Sequence, residues 1–339
     1  MPLSDVILDK EWYDNSLVDL MLACKRKAFI ARIYNGGLEA GVGYGALFGT
    51  CMHGFRATYY SWWGKESEER RRLRGMRKFL ELHEELFKGP MLDTLDSKHT
   101  KEAGLGMIDH YCDSYLQEDT LLKPIAVELS GAIEIKPRDG DPFDFVPFWY
   151  AFKIDGIHQR LSYGDYWVAE MKNTGGGVAR ELKKLRLSRQ PTGYVYCARQ
   201  FPGPPVSGCM PDVNGVMVKT RECQRDFYPK TQRDTDQWRL ETINIVEDWR
   251  RIADLIEHRN ESDKRLTFEQ ILSLYYQNTA ECTSYGLCAF YDICRDGFSP
   301  ATLAAFRRNS WNPLEDQTHL ERKEIKTAEG LMEIHEVTP

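Results

Sequence analysis

Three runs rich in Val, Ile, Phe, Tyr and Trp follow one another between residues 126 and 172: AVELSGAIEI, VPFWYAFKIDGIHQR and DYWVAEMK. Turn-forming segments, KPRDGDPFD and LSYGD, separate them, so the text predicts three consecutive strands. Side chains alternate faces along a strand, which puts Glu170 and Lys172 on one face and leaves Ala169 and Met171 for packing on the other. Asp155 lies fifteen positions before Glu170, in the apolar run FKIDGI. A carboxylate buried there without a cation or donor costs several kcal/mol, so a positive partner is expected beside it. Two carboxylates on adjacent strands suit a hard divalent cation, and a lysine next to them suits the orientation of a water or the neutralisation of developing charge. Glu128, in the first of the three runs, either adds a carboxylate to this group or faces solvent.

The surrounding text is mostly helical. Apolar residues recur at helical spacing through SLVDLMLACKRKAFIARIY, RKFLELHEELFKG and GLGMIDHYCDSYLQ. After the three runs come the helix former VARELKKLRLSRQ, two predicted strands, YVYCARQF and NGVMVKT, and an amphipathic helix, ETINIVEDWRRIADLIEHRN. Beyond residue 295 the text is charged and reads as loop. The expected organisation is a helical region over 1–125 carrying Cys24 and His53, a core over 126–230, and a C-terminal helical region with a charged tail over 231–339. The fold class is α/β, a central mixed sheet flanked by helices.

With 339 residues, 42% of them hydrophobic, the chain has ample material for a core. A formal net charge of -6 argues against coating a polyanion by bulk charge and leaves room for local basic patches. The N-terminus is too polar for a signal peptide and no apolar run suggests a membrane span, so a soluble cytoplasmic protein is expected. No GxxxxGK[ST] phosphate loop is present, so any use of ATP for unwinding would need a helicase or recombination partner.

His53 follows a glycine-rich approach in GTCMHG, and Gln190 and Tyr194 stand four apart after the basic helix. Each alone reads equally well as a packed or hydrogen-bonded residue. Taken in order, Gly49 with His53, Asp155, Glu170 with Lys172, and Gln190 with Tyr194 resemble the RecB-like branch of the PD-(D/E)XK nuclease superfamily. That branch shows Gly-x-x-x-His on a helix, Asp in a strand, Glu-x-Lys in the next strand and Gln-x-x-x-Tyr on the following helix. Pro191, directly after Gln190, departs from it and predicts a kink or restart of the helix. The resemblance implies a restriction-endonuclease-like core and a DNA exonuclease dependent on Mg2+ or Mn2+, preferring single strands, in recombination, end processing or phage DNA metabolism. Spacer trimming in CRISPR adaptation, or noncatalytic DNA binding on the same fold, are the alternatives. His53, Asp155, Glu170 and the backbone carbonyl of Met171 would hold the cation, and Lys172 would position the attacking water.

Cys282, Cys288 and Cys294 stand with five residues between each pair, and Cys24 lies far upstream. Structural zinc draws on paired C-x2-4-C knuckles, which are missing, whereas an iron-sulfur cluster accepts wider spacing. Small buried hydrophobes are the plain alternative. Here too the chain is similar to a subset of those nucleases, the AddB-type, CRISPR-associated and phage exonucleases with one cysteine before the core and three after it. That likeness implies a 4Fe-4S cluster on Cys24, Cys282, Cys288 and Cys294, although the usual C-x2-C-x5-C is C-x5-C-x5-C in this chain. Tyr59, Tyr60, Trp62 and Trp63, with the arginines from Arg70 to Arg77, read either as core with an ion-paired face or as a single-strand binding surface.

Overall fold

The computed structural model describes residues 12–34, 36–41, 43–89, 94–201, 203, 205–216, 221–261, 265–284, 287–308, 323–327 and 330–336. In chain order the elements are β1 (Trp12–Asp14), α1 (Asn15–Ala23), α2 (Lys25–Arg32), β2 (Leu38–Glu39), α3 (Tyr44–Ser61), α4 (Glu68–Leu86) and α5 (Lys101–Tyr115). There follow β3 (Leu122–Ile135), β4 (Phe148–Arg160), β5 (Asp165–Thr174), α6 (Val178–Leu187), α7 (Arg189–Ala198), β6 (Val206–Val216), β7 (Arg221–Arg225) and β8 (Tyr228–Pro229). The chain ends with α8 (Gln232–Glu261), α9 (Phe268–Leu274), α10 (Tyr291–Asp296), α11 (Pro300–Leu303), β9 (Arg307–Arg308), β10 (Lys323–Thr327) and β11 (Gly330–Glu336).

The fold is α/β with a central mixed sheet, in the order β10–β11–β3–β4–β5–β6–β7. Antiparallel β4 and β5 continue into β6, which runs parallel to β5, and then into antiparallel β7. Two compact units share the chain: Met1–Gly41, Glu134–Ala151 and Arg239–Glu315 form one, and Val42–Ile133, Phe152–Trp238 and Asp316–Pro339 the other. In the first, Trp12 of β1 pairs in register with Trp149 at the start of β4, the two indoles stacked with centroids 5.6 Å apart. In the second, Phe48, Met52, Phe55 and Tyr59 of α3, Phe79 of α4 and Tyr111 of α5 pack with Trp167, Ala169 and Met171 of β5 in one apolar cluster. This is the packing face expected opposite Glu170 and Lys172. Among the described residues no helix is long and apolar enough to cross a membrane.

Three expectations need correction. YVYCARQF is helical: Ser188 caps α7 by accepting the Gln190 amide, and every residue from Pro191 to Cys197 is buried. A segment apolar on all sides carries no period that separates helix from strand. Pro191 falls in the first helical turn, where its missing N–H costs nothing, so the helix restarts rather than kinks. The strand placed at NGVMVKT begins earlier, at Val206 within the segment read as loop, and residues 217–220 lie outside the described set. The charged tail supplies β10 and β11, and β11 pairs antiparallel with β3. Charge is common on strands toward a sheet's edge, which is why this text reads as loop.

Behind the sheet the second unit buries matched charges. Arg225 of β7, 2% exposed in its side chain, donates to Asp212 at 3.0 Å, Asp119 at 2.7 Å and the hydroxyls of Tyr60 at 2.5 Å and Tyr111 at 2.7 Å. Its guanidinium also lies 3.7 Å from the Tyr115 ring centroid. Asp212, fully buried, accepts the Tyr111 hydroxyl at 2.6 Å. Removing one partner of such a set strands the others, so Arg225→Met should lower the unfolding free energy by about 3–5 kcal/mol in urea denaturation.

His158 of β4 lies edge-on to Tyr60 in the same interior, and neither ring nitrogen has a hydrogen-bond partner. Burial first, then Arg225, push its pKa down to about 3. The folded chain keeps this ring neutral while the unfolded chain protonates it near 6.5. Between about pH 6.5 and 3 the unfolded state therefore binds the extra proton, and stability falls with pH by about 1.4 kcal/mol per unit. Replacing His158 by Phe should remove that part of the slope when thermal unfolding is followed from pH 7 to pH 4.5.

Candidate active site

The ladder between β4 and β5 runs from Arg160 opposite Asp165 back to Gly156 opposite Ala169. One further step would set Asp155 against Glu170. The Asp155 side chain intervenes instead, its Oδ2 accepting the Met171 N–H at 2.6 Å where a backbone carbonyl would otherwise sit. Its Oδ1 lies 3.2 Å from Nδ1 of His53, carried by α3. At Gly156 any Cβ would come within 2.9 Å of the Ala126 carbonyl oxygen, so glycine is what lets β3 approach β4 here.

That approach brings in Glu128. Between Ser130, paired with Glu333, and Val127, paired with His335, β3 has two residues against one of β11. This is a β-bulge, and within it Glu128 has φ 50, the left-handed region that costs a non-glycine residue about 1–2 kcal/mol. The bulge turns the carboxylate inward, 5% exposed. One ligand atom each from His53, Glu128 and Asp155 lie within 4.8 Å of one another.

Glu170 is 1% exposed, and the Lys172 ammonium stands 2.5 Å from its Oε1. Lys153 makes the corresponding pair on the other side, 3.1 Å from Glu128 Oε2. On α7, Gln190 donates to the Tyr194 hydroxyl at 2.8 Å. Tyr194 is buried, and burial first, then Glu170 and Asp155, raise its pKa well above the ordinary value.

The charges adjust to one another. Burial opposes the charged form of His53, but Asp155 outweighs it and holds the imidazole's pKa above the ordinary value. Burial likewise opposes ionisation of Asp155, and His53, then Lys172 and the Met171 amide, overcome it and keep its pKa low. For Glu170 burial wins over Lys172, and its pKa is raised. Burial also raises Glu128, only partly offset by Lys153. Lys172 is held charged by Glu170 and Asp155 against its own burial.

The structure thus brings His53 and Asp155 into contact, sets Glu170 with Lys172 on the adjacent strand β5, and puts the Gln190–Tyr194 pair on α7, which packs against β5, with Met171 engaged through its amide. Sequence reasoning held Glu128 in reserve and missed Lys153, although Lys153 stands two positions before Asp155 and so on the same strand face. The aromatic and arginine-rich stretch is divided, its tyrosines and Arg71 buried and Arg70, Arg74 and Arg77 exposed. Tyr59 and Tyr60 are buried, Arg71 lies over Tyr59, Arg72 pairs with Asp109 and Asp113, and Arg74 pairs with Glu66 over Trp62. On α6, by contrast, Val178, Leu182 and Leu185 face the core while Arg180, Lys183, Lys184 and Arg186 are exposed. In the first unit Cys24 Sγ accepts the Asn278 amide at 3.4 Å, and Cys282 Sγ accepts from Gln277 at 3.3 Å. Burial pushes the Cys294 thiol up to about 11, with Arg26 opposing and the sulfurs of Cys24, Cys288 and Cys282 adding to it.

No family model and no curated protein matches the chain. Among solved structures it is similar to the crystal structure of SSO0001, at 13% identity over 84% of this chain and 98% of that one, with a TM-score of 0.28. A TM-score that low leaves fold and function undetermined by the likeness.

The Glu170–Lys172 pair can be tested without reference to activity. Lys172→Met strands a buried carboxyl group and should cost about 1–3 kcal/mol, the lower part of the range for a buried pair because the lysine keeps a third of its side chain in water. Adding Glu170→Gln should recover most of that loss in a double-mutant cycle followed by chemical denaturation.

Proposed function

We propose that this chain is a metal-dependent DNA nuclease, an exonuclease with a preference for single strands. The observation that carries the reading is the convergence of Asp155, Glu170 and Lys172 with His53 and the Gln190–Tyr194 pair at the point where the β4–β5 ladder stops. The donor set suits Mg2+ or Mn2+: carboxylates of Asp155 and Glu170, one of them almost wholly buried, with an imidazole beside them. Such a cation would supply Lewis-acid stabilisation of negative charge at phosphorus.

The chain's own residues supply the rest. Asp155 and Glu170 stand one step beyond the paired part of the β4–β5 ladder, and Asp155 is held there by the Met171 amide. Lys172 sets an ammonium beside Glu170, where it can orient a water or meet charge on a phosphate oxygen. Tyr194, oriented by Gln190, walls the site with its hydroxyl pointed by a hydrogen bond. Helix α6 begins six positions after Lys172, at Val178, and its exposed basic residues offer phosphate contacts to a strand entering from that side.

The four cysteines support an iron-sulfur cofactor in the first unit. Cys24 Sγ accepts the amide of Asn278, which stands four residues before Cys282, so Cys24 lies beside the segment that carries the other three thiols, as a shared cluster requires. Its role would be structural, closing the N-terminal helices onto the cysteine segment, since binding at such a site is coupled to folding.

Two measurements test these readings. End-labelled single- and double-stranded DNA should be shortened by the protein with Mg2+ or Mn2+, not with chelator, and not by folded Lys172→Ala or Asp155→Ala; full activity in either variant sinks the assignment, and inactivity of the parent protein points to DNA binding without catalysis. Protein purified anaerobically should be brown and carry iron and acid-labile sulfide, lost on Cys288→Ser; colourless, iron-free protein removes the cluster.

A further inference from the structure

Cys24 is buried at the junction of α1 and α2, in an extended conformation that ends one helix and starts the next. Four hydrogen bonds dock α9 and the segment after it onto that junction. The Arg26 amide donates to the Tyr276 carbonyl at 3.2 Å, and its guanidinium donates to the carbonyls of Leu272 at 2.5 Å and Tyr275 at 2.8 Å. The Asn278 side chain donates to the Ala23 carbonyl at 2.8 Å. Each bond uses an amide or carbonyl that a helix end leaves without an intrahelical partner. The docking turns two further N–H groups onto sulfur. The Asn278 amide donates to Cys24 Sγ at 3.4 Å, and the side-chain amide of Gln277 donates to Cys282 Sγ at 3.3 Å. None of the four docking bonds involves the Gln277 side chain, which is exposed. A thiol is a weak acceptor, so an exposed amide gains little from it over water. Ionised or metal-bound sulfur carries negative charge, and a hydrogen bond to a charged acceptor is roughly twice as strong.

We propose that Gln277 is a positioning residue for the iron-sulfur group, its amide holding Cys282 Sγ from the solvent side while the Asn278 amide holds Cys24 Sγ. The inference rests on the cofactor reading given above. Four cysteine thiolates outweigh the positive charge of an iron-sulfur core, so the bound group is net negative and an added electron makes it more so. Two N–H groups aimed at its sulfurs favour the electron-richer state and raise the reduction potential. They also lower the affinity of those sulfurs for a proton, which competes with metal for a thiolate. Gln277 thereby makes the group easier to reduce and harder to lose, without being a ligand.

Because the Gln277 side chain is exposed and outside the docking bonds, its variants test this without unfolding the chain. Anaerobically purified protein is titrated with dithionite, which supplies the electron, and the midpoint potential is read from visible absorbance and from the electron paramagnetic resonance signal of the reduced group. Gln277→Leu should shift the reduction equilibrium about tenfold toward the oxidised form, ~59 mV for a one-electron couple. Gln277→Glu should shift it further, because a carboxylate replaces the donor, and should release iron to a chelator faster than the parent. Gln277→Lys, which keeps a donor and adds a positive charge, should bring the potential back to the parent's value or above it. A potential unchanged in both Gln277→Leu and Gln277→Glu overturns the inference, while the iron in the protein upholds the cofactor reading. A potential that falls as far in Gln277→Lys as in Gln277→Leu overturns it too. If Gln277→Leu is isolated without iron, retention replaces potential: iron kept by Gln277→Lys supports the inference, and iron lost from both overturns it. Parent protein that carries no iron removes the cofactor reading, and the inference falls with it.

Discussion

The Arg225–Asp212 contact orders the second unit. Asp212 is taken fully out of water on β6, and its burial is tolerable because Arg225 and the Tyr111 hydroxyl meet it. Arg56, also fully buried, adds a second positive charge that lowers the pKa of Asp212, while Asp119 answers Arg225 from the other side. Two arginines and two aspartates thus balance, and among them they join α3, α5, β6, β7 and the turn at Asp119. Arg56 stands one helical turn after His53, so the charge set that fixes α3 over the sheet also fixes where the imidazole points.

The site built on that frame is an alternation of charge in a poorly solvated place. Each outer carboxylate faces a lysine, and the central Asp155 faces a histidine and a backbone amide. Strands carry all of these groups, Lys153 and Asp155 on β4 and Glu170 and Lys172 on β5, and both lysine side chains reach water. Electrostatic work done by such a site depends on groups that are already oriented, because reorganising them during a reaction would consume the gain.

Much of this was legible in the residues. The three strands from Ala126 to Lys172 and the shared face of Glu170 and Lys172 follow from side-chain alternation. What was not legible has physical causes. α7 is apolar all round, so Tyr194, Val195, Tyr196 and Cys197 look like a strand until Ser188 and the early Pro191 are recognised as a helix start. Strands β10 and β11 hide in charged text. Glu128 stayed undecided between site and solvent because a bulge breaks the alternation on which a strand reading depends: its neighbours Ala126, Val127 and Leu129 are all buried with it. Lys153 escaped because a lysine two residues from a buried aspartate looks like solvent-facing text.

The early end of the β4–β5 ladder also makes the Met171 amide unusual. Most protected amides in a sheet report on the neighbouring strand, since a backbone carbonyl is their acceptor. This one is held by a side-chain oxygen of Asp155, so its rate of hydrogen exchange follows what that carboxylate is doing rather than whether the strands are zipped. Deuterium exchange at Met171 thereby becomes a backbone gauge of a side chain's engagement, readable in solution with no substrate or turnover.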